Sequence, residues 1–466
     1  MPTYLLVLIH IGPAAWGVYH ALLYKRDPRA AMGWIMACIF IPYGGPIAYF
    51  LFGINRVRTR AKGLQRRFLH VAYEAGRRKV EPAHAGEPGK RDVGWRVTGR
   101  VLSDGNDVVP LYNGEAAYPE MLEAIGRARH RVLLATYILK ADVTGTAIAD
   151  ALQRATERGV DVKVMVDGIG ELYSWRRASR LLQKRGIDVA RFLPPTLLPP
   201  SVYINLRNHR KMLIIDDQLA FAGGMNIGDE HTTIEGRPRL VSDVHFALQG
   251  RVVPELVELF SLDWHFTTGK SVAAIPSEPV HDSSNMHCRI VPDGPDDELD
   301  SLAATIQGVI GAARQTIDIM TPYFLPGREL MSSLESAALR GVRVRVVLPK
   351  KNNLFYVHWA HRNMLAELLR WDIEAWYQPA PFCHSKLFCV DGDYSLIGSA
   401  NLDSRSLRLN FELGIEVFSA ALNEELAGHF DRTIAVSERA LYADLDNRSL
   451  PVRLRDSAAA LFSPYL

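Results

Sequence analysis

The sequence predicts an α/β protein with two homologous halves, each containing a mixed β-sheet, related by a pseudo-twofold axis and preceded by an N-terminal membrane hairpin of helices. Three observations support this prediction. The first 53 residues are mostly apolar, a strand-helix-strand pattern occurs twice, and a motif of histidine, lysine and aspartate occurs twice. The predicted divisions are a helical hairpin with a basic flank at 1–60, a linker at 61–95, a first half at 96–275 and a second half at 276–466.

The N-terminal region contains two apolar runs, Tyr4–Tyr24 and Ala30–Gly53, joined by the short basic link KRDPR. Apolar segments of this length favour membrane insertion. A cleaved signal peptide fits less well, because no basic stretch precedes the first run and no small-residue cleavage site follows it. Gly12-Pro13 and the segment Pro42–Pro46 interrupt the runs, so transmembrane and re-entrant arrangements both remain open.

Charged residues are nearly balanced over the chain, with 54 Lys and Arg against 51 Asp and Glu. So small a surplus does not argue for a nucleic-acid partner, and none is expected. More basic residues follow the second apolar run, within 56–67, than lie in the link between the two runs. The positive-inside rule therefore places the large C-terminal part on the cytoplasmic side, and the basic flank is suited to anionic membrane lipids.

A linker rich in Pro, Gly and charged residues at 77–94 leads into a globular part that repeats itself. The segment Thr136–Gly168 is echoed by Thr321–Pro349. Each copy has the pattern of a strand, a loop, an amphipathic helix, an Arg-Gly-Val turn and a buried strand. Each copy is therefore predicted to be a βαβ unit of a parallel or mixed sheet.

A second repeat contains the polar residues of a candidate site. NHRKMLIIDDQLAFAGGMNIGDE matches CHSKLFCVDGDYSLIGSANLDSRS at one common spacing: histidine, one residue, lysine, four residues, aspartate, six residues, glycine, two residues, asparagine. One such match would be weak, because short patterns recur by chance. Two matches at equivalent places in two halves predict a single shared cleft. Its predicted residues are His209, Lys211, Asp216 and Asn226 from the first copy and His384, Lys386, Asp391 and Asn401 from the second.

Two imidazoles and two ammonium groups in one cleft suit the chemistry of a phosphodiester. Lys211, Lys386 and the two asparagine amides would bind the non-bridging oxygens as negative charge develops on them. One imidazole can attack the phosphorus while the other protonates the leaving oxygen, which gives a covalent phosphohistidine. The second imidazole then deprotonates an incoming hydroxyl, and this explains why two histidines are needed.

Four carboxylates near the motifs have alternative roles. Asp216 and Asp391 follow buried strands at turns, so tying down a hairpin is favoured over direct chemistry. Asp243 and Glu412 each follow the glycine and asparagine of one copy. Each is a candidate to hold the second nitrogen of a catalytic histidine, and an ordinary strand carboxylate is the alternative.

Metal and cofactor chemistry is not expected. A lysine two residues after each histidine repels a dication, and the four cysteines form no CxxC pair. The other histidines, including His231 and His245, have no partner in the repeat and are expected to have surface or structural roles.

The proline-rich segment Arg191–Tyr203 precedes the first motif. Its four prolines exclude a helix or a central strand, and its Leu and Phe content indicates a stiff apolar loop. Such a loop either covers the core or enters the bilayer beside the cleft through Leu197 and Leu198.

The paired motifs resemble those of the phospholipase D superfamily, and the resemblance extends over 96–466. Further markers, including LFGINRVRTRAKG, TPYFLP, GSANLDSRSLRLNFE and RLRDSAAALFSPYL, make the whole chain similar to the bacterial cardiolipin synthases of that superfamily. The resemblance implies transfer of a phosphatidyl group from one phosphatidylglycerol to another in the bacterial inner membrane, with release of glycerol. It also implies that His209 is the nucleophile and His384 the acid that becomes the base.

One departure from symmetry affects substrate binding. Gly224 stands in the first copy where the second has Ser399, so a phosphate contact by the Ser399 hydroxyl would be one-sided.

Other activities remain as alternatives. Hydrolytic phospholipase D is the closest, since water can resolve the same intermediate. A nuclease or another phosphodiesterase is less consistent, because no basic and aromatic run lies near either motif. The acyl-chain preference, the use of phosphatidylethanolamine and the oligomeric state stay open.

Overall fold

The structure is a computed structural model that describes residues 3–25, 28–53, 89–174, 176–195, 206–233, 238–275, 284–294 and 300–461. Three predicted features lie outside these ranges: the basic flank, most of the linker, and Leu197 with Leu198. The chain divides into two compact units, one up to Arg67 and one from Phe68 onward. The boundary predicted at 275 and 276 adjoins a stretch outside the described ranges, so it stays a prediction.

The N-terminal unit is helical. Its elements are the helices Thr3–Tyr24, Pro28–Phe40 and Gly44–Ala48 and a π-helical turn, Tyr49–Gly53. Ala21, Cys38 and Tyr49 form a small buried core, and His20 Nδ1 lies 2.7 Å from the Tyr49 hydroxyl oxygen.

The predicted transmembrane helices are not confirmed. Within the described ranges, no helix has both the length and the apolar character that a membrane crossing requires. The second apolar run is divided in the structure, because Pro28–Phe40 ends just before Pro42.

The second unit alternates helices and strands. Its helices are Lys90–Thr98, Asn113–Arg127, Val143–Glu157, Ala178–Gln183, Val252–Thr268, Ser301–Ala312, Arg328–Leu339, Phe355–Leu368, Ala420–Ala435, Tyr442–Asp446 and Leu450–Ala460. Short 3₁₀ turns lie at Gly170–Tyr173, Asp229–His231 and Leu369–Trp371.

The strands, in chain order, are β1 Ser103–Tyr112, β2 Arg131–Thr136, β3 Asp161–Asp167, β4 Asp188–Phe192, β5 Met212–Ile215, β6 Leu219–Gly223, β7 Val241–Ser242, β8 Val244–Gln249, β9 Met286–Asp293, β10 Thr316–Met320, β11 Phe324–Leu325, β12 Arg343–Pro349, β13 Glu374–Gln378, β14 Phe382–Cys383, β15 Leu387–Val390, β16 Tyr394–Gly398, β17 Leu402–Asp403, β18 Glu412–Phe418 and β19 Glu438–Arg439.

One mixed sheet contains 15 of these strands. Its centre is the antiparallel pair β1 and β9. Outward from that pair the order is β8, β6, β5, β2, β3, β4 on one side and β18, β16, β15, β10, β12, β13 on the other, where β19 adds an edge. The α/β class and the mixed sheet are thus confirmed. The strand order repeats as a duplicated sequence predicts, and the pseudo-twofold axis itself stays a prediction.

Both predicted βαβ units are present. The parallel strands β2 and β3 are connected through the helix Val143–Glu157, and β10 and β12 through Arg328–Leu339. In each Arg-Gly-Val turn the glycine, Gly159 or Gly341, has φ +87°, a left-handed conformation that glycine adopts at low cost. The units present the ends of β2 and β10 beside the motif strands β5 and β15.

The largest buried cluster joins the two halves. It combines Phe246, Phe260 and Trp264 of the first half with Ile290 and Ile415 of the second. The helix Val252–Thr268 supplies much of it and also reaches the first motif, because its Asp263 accepts a hydrogen bond of 3.1 Å from Asn208 Nδ2. The segment before His209 is therefore anchored in the common core.

Candidate active site

His209 is positioned by a contact between the two halves. Asn208 forms an isolated parallel bridge with Phe411, and the His209 amide donates to the Phe411 carbonyl at 2.9 Å. This places His209 Nδ1 3.0 Å from the Glu412 carboxylate. A histidine of the first half is thus held by a carboxylate of the second.

His384 has the reciprocal arrangement. β14 pairs in parallel with β7, and the His384 amide donates to the Ser242 carbonyl at 2.8 Å. His384 Nδ1 then lies 2.7 Å from Asp243 Oδ2. The structure therefore places both candidate orienting carboxylates against a histidine, and each carboxylate belongs to the opposite half.

The two lysines lie beside the histidines and are buried, with 2% exposure for Lys211 and 6% for Lys386. Lys211 precedes β5 and its Nζ donates to the His209 carbonyl at 2.7 Å. Lys386 Nζ lies 3.1 Å from His384 Nε2. Burial lowers the pKa of Lys211 to about 7 and the pKa of Lys386 to about 8, although Glu412 and Asp243 oppose the effect. A bound anion would favour the charged form of both.

Both histidines are held neutral. Burial, together with the nearby lysines, lowers the pKa of His209 to about 4 despite the opposing charge of Glu412. Burial and Lys386 lower the pKa of His384 well below its ordinary value. Because Nδ1 of His209 faces a carboxylate, the neutral ring has its proton there and its Nε2 has a free electron pair.

The two orienting carboxylates have different surroundings. Glu412 accepts hydrogen bonds from Ser399 Oγ at 2.6 Å and from Asn410 Nδ2 at 3.1 Å. Burial opposes its ionisation, but His209, Lys211 and Ser399 outweigh burial and lower the pKa of Glu412. Asp243 instead accepts from the amide of Val244 at 2.8 Å, and burial raises the pKa of Asp243. The pKa of Glu412 is thus shifted down from its ordinary value, and the pKa of Asp243 is shifted up from its own.

Ser399 has a partner other than the one predicted for it. Its hydroxyl donates to Glu412 and accepts from the Leu413 amide at 2.9 Å, so it supports the carboxylate, and a contact of this hydroxyl with phosphate stays a prediction. At the equivalent Gly224, a Cβ would lie 2.9 Å from Asp243 Oδ1 and from Lys386 Cδ. The asymmetry between glycine and serine therefore follows from packing around the two carboxylates.

Asp216 and Asp391 lie at the ends of β5 and β15 that are farther from the histidines, with φ +48° and +55°. Each carboxylate accepts hydrogen bonds from a run of backbone amides, those of Arg129, His130 and Arg131 for Asp216 and those of Arg314, Gln315 and Thr316 for Asp391. The geometry supports the structural role that the turns favoured, and it does not support direct chemistry by these two carboxylates.

The two motif asparagines are buried at the loops that follow β6 and β16. Asn226 Oδ1 accepts from the Ile138 amide at 3.3 Å, and Asn401 Nδ2 donates to Ser406 Oγ at 3.1 Å. The Asn401 Oδ1 atom is buried and has no hydrogen-bond partner among the described residues. A contact of either amide with phosphate stays a prediction.

Three residues near the histidines were not predicted for the site. His231 and His245 are buried and interact electrostatically with Asp243, and the His231 ring centroid lies 6.4 Å from that of His384. Tyr137 presents its ring to His209 at 5.0 Å. Spacing gave no signal for His231 and His245, because the second copy has Ser406 and Gly414 in their place.

A family model described as cardiolipin synthase, phospholipase D-like domain, matches residues 121–236 and 306–434, just over half of the chain. The chain belongs to this cardiolipin synthase family. A second model, for a phospholipase D-nuclease N-terminal region, matches 12–53. The predicted family, the phosphatidyltransferase class and the transfer of a phosphatidyl group between phospholipids are thereby confirmed.

Relatives of this family member match over nearly the whole chain. The major cardiolipin synthase ClsA of Bacillus subtilis is 30% identical, over 95% of each chain. A cardiolipin synthase of Listeria welshimeri is 29% identical, over 100% of this chain and 99% of its own. Among solved structures, the phosphatidylserine synthase of Haemophilus influenzae superposes with a TM-score of 0.63 at 14% identity, over 81% of this chain and 100% of that one. This last likeness shows the fold alone.

Proposed function

We propose that this synthase transfers the phosphatidyl group of one phosphatidylglycerol to a headgroup hydroxyl of a second, through a covalent phosphohistidine, and releases glycerol. The observation that supports it most strongly is the pair of crossed contacts, His209 with Glu412 and His384 with Asp243. Two oriented imidazoles in one cleft match a two-step displacement at phosphorus.

In the first step, Nε2 of His209 attacks the phosphorus of the first phosphatidylglycerol. The bond from phosphorus to the headgroup glycerol oxygen breaks, and His384 gives that oxygen a proton. Glycerol leaves, and the phosphatidyl group is bound to His209. The lowered pKa of His384 means that it needs the negative charge of the bound phosphodiester to hold this proton.

In the second step, His384 is neutral again and removes the proton of a hydroxyl on the second phosphatidylglycerol. That oxygen attacks the phosphorus, the bond to His209 breaks, and cardiolipin leaves. One phosphodiester replaces another, so no nucleotide is consumed. Water in place of the second lipid would give phosphatidic acid, which is the hydrolytic alternative.

The different surroundings of the carboxylates support His209 as the nucleophile. The intermediate places positive charge on the imidazole ring, which an ionised partner stabilises. Glu412 has two side-chain donors, Ser399 and Asn410, that keep it ionised, whereas burial raises the pKa of Asp243. This difference separates two motifs that are nearly identical in sequence.

The lysines and asparagines have complementary roles in the proposal. Lys211 and Lys386 neutralise the non-bridging oxygens once the anion restores their charge, and the amides of Asn226 and Asn401 bind the same oxygens. The halves are related by the pseudo-twofold axis, which brings equivalent groups to both sides of the phosphorus. The N-terminal unit inserts in the bacterial inner membrane, with the catalytic part on the cytoplasmic side.

The test is incubation of the purified full chain with phosphatidylglycerol labelled in its headgroup and in its acyl chains. The proposal expects cardiolipin and one free glycerol per cardiolipin. Phosphatidic acid as the main product would favour the hydrolytic alternative, and no product would contradict both. A parallel reaction with EDTA should proceed at the same rate, and a loss restored by one added cation would overturn metal independence.

A further inference from the structure

A stripe of leucines lies exposed along the last described helix, Leu450–Ala460, and the residue that follows it. Leu450, Leu454 and Leu461 are 68%, 62% and 79% exposed. Leu461 retains α-helical backbone angles, and spacings of four and eleven residues put the three side chains within about 40° of one another around the helix. A single exposed leucine is common, but three on one face form an apolar surface.

The opposite face of this helix is fixed to the protein by charge. Asp456 is fully buried and pairs with Arg362, Arg448 and Arg455, with an Nε to Oδ2 distance of 3.3 Å for Arg362. Asp456 is the one carboxylate in the helix sequence, so no negative charge remains on the outer face, where Arg453 is exposed. The ion pairs determine which side of the helix faces outward.

The packed side of the helix is connected to the candidate active site through a series of apolar and aromatic contacts. Ala459 and Ala460 pack against an apolar cluster that also contacts Tyr323. The Tyr323 ring lies 6.4 Å from Phe382, whose ring lies 6.1 Å from His384.

We propose that this surface, formed by Leu450, Leu454 and Leu461 and named here the leucine stripe, docks on an anionic lipid bilayer. The inference rests on the proposed function. The phosphodiester of a membrane lipid lies at the bilayer surface, so it reaches His384 most directly when the cleft is held against that surface. Leucine enters the acyl-chain boundary, while Arg453, which is exposed at the flank of the stripe, meets anionic headgroups.

A second copy of the chain fits the stripe less well than a bilayer does. In a twofold contact between copies the same patch faces itself, so both contacting helices would present an exposed Arg453 and neither would present an exposed carboxylate to pair with it. Anionic lipid instead supplies the opposite charge. The test below separates these two occupants.

The four native cysteines are buried, so a cysteine introduced on the surface can be labelled selectively. Leu454→Cys and Leu461→Cys in the full chain, labelled with a polarity-sensitive fluorophore, are reconstituted in phosphatidylglycerol vesicles. Both labels should shift to the blue, and brominated acyl chains should quench them at least twofold. The control is Leu339→Cys, which is 69% exposed at the end of the helix Arg328–Leu339 and should show neither effect.

Leu454→Asp and the milder Leu454→Ser should lower kcat/KM for phosphatidylglycerol in vesicles, by at least tenfold for the aspartate. Both variants should retain the wild-type rate on a water-soluble nitrophenyl phosphodiester. The control Leu339→Asp should retain the wild-type rate on both substrates. The docking surface would be overturned by equal quenching at positions 454 and 339 or by no quenching at 454. It would also be overturned by a blue shift that occurs without lipid and grows with protein concentration. Quenching at 454 in the labelled Leu454→Cys chain, together with a wild-type chain that forms no cardiolipin, would support the surface and contradict the proposed function.

Discussion

Replacing Glu412 by glutamine tests the proposed nucleophile most directly. The Glu412 carboxylate faces three donors, His209 Nδ1 at 3.0 Å, Ser399 Oγ at 2.6 Å and Asn410 Nδ2 at 3.1 Å. Glutamine keeps the shape but has one acceptor oxygen, and its amide group turns two hydrogens toward these donors. At least one buried donor loses its partner, which costs about 1–3 kcal/mol of folding free energy.

The effect of Glu412→Gln on catalysis should be larger than its effect on stability. An amide does not offset positive charge on the His209 ring, and it opposes the reactive tautomer whenever its NH2 group, and not its oxygen, faces Nδ1. The same change beside the catalytic histidine of serine proteases lowers kcat by about 10⁴-fold, which corresponds to about 5 kcal/mol at 1.36 kcal/mol per tenfold. We expect a loss of 10³–10⁴-fold in the initial rate of transfer between labelled phosphatidylglycerols.

Glu416→Gln is the matched control. Glu416 lies on the same strand, is equally buried, and pairs with Arg289 Nε at 2.6 Å and with the Tyr394 hydroxyl at 3.1 Å. Its loss should destabilise the fold at least as much as Glu412→Gln, because it leaves a buried arginine without an anion. When both variants are assayed below their unfolding temperatures, Glu416→Gln should retain most of its activity. If Glu412→Gln retains more than a tenth of the wild-type rate, the role assigned to the carboxylate is wrong.

Three further predictions concern the same site. A nitrophenyl phosphodiester has a leaving group that needs no proton. With this substrate, His384→Ala should release a burst of nitrophenol and stall with the phosphoryl group on His209, whereas His209→Ala should give no burst. A phosphoryl group trapped on His384 would reverse the two roles. The pH profile of kcat/KM should fall toward about pH 4, as His209 gains a proton, and should fall as the pH rises, because His384, whose pKa lies well below its ordinary value, must hold a proton and because Lys211 and Lys386 lose theirs between about pH 7 and 8; the basic limb for kcat should lie at higher pH, and coincident basic limbs would show that substrate recharges neither His384 nor the lysines. Gly224→Ser should reduce transfer at least tenfold without global unfolding, because its Cβ would press on the carboxylate that holds His384, and full activity would contradict that packing.

The sequence was sufficient to predict the elements that depend on periodicity and repetition. The βαβ units, the mixed sheet and the positions of the two histidine-lysine pairs follow from local patterns that occur twice. The pairing of carboxylates with histidines did not follow. Asp243 and Glu412 were equivalent candidates in the sequence, and their exchange between halves depends on the parallel contacts of β14 with β7 and of Asn208 with Phe411, which join distant segments.

Other differences have identifiable physical causes. A phosphate contact by Ser399 stays a prediction, and the structure adds a partner that the sequence did not reveal, because the Ser399 hydroxyl donates to the buried carboxylate of Glu412. His231 and His245 were assigned to structural or surface roles because neither repeats in the second half. Their closeness to Asp243 arises from the tertiary fold, which composition and spacing do not reveal.

The crossed contacts link catalysis to the alignment of the sheet. Neighbouring residues on a strand face opposite sides, so a slip of β8 or β18 by one residue would turn Asp243 or Glu412 away from its histidine. A chain folded in the wrong register would then fail at the first chemical step, before any lipid is cut. A misfolded enzyme that cleaved lipids without completing the transfer would damage the membrane. Because both histidines depend on the register of the sheet, a chain folded in the wrong register is inactive instead.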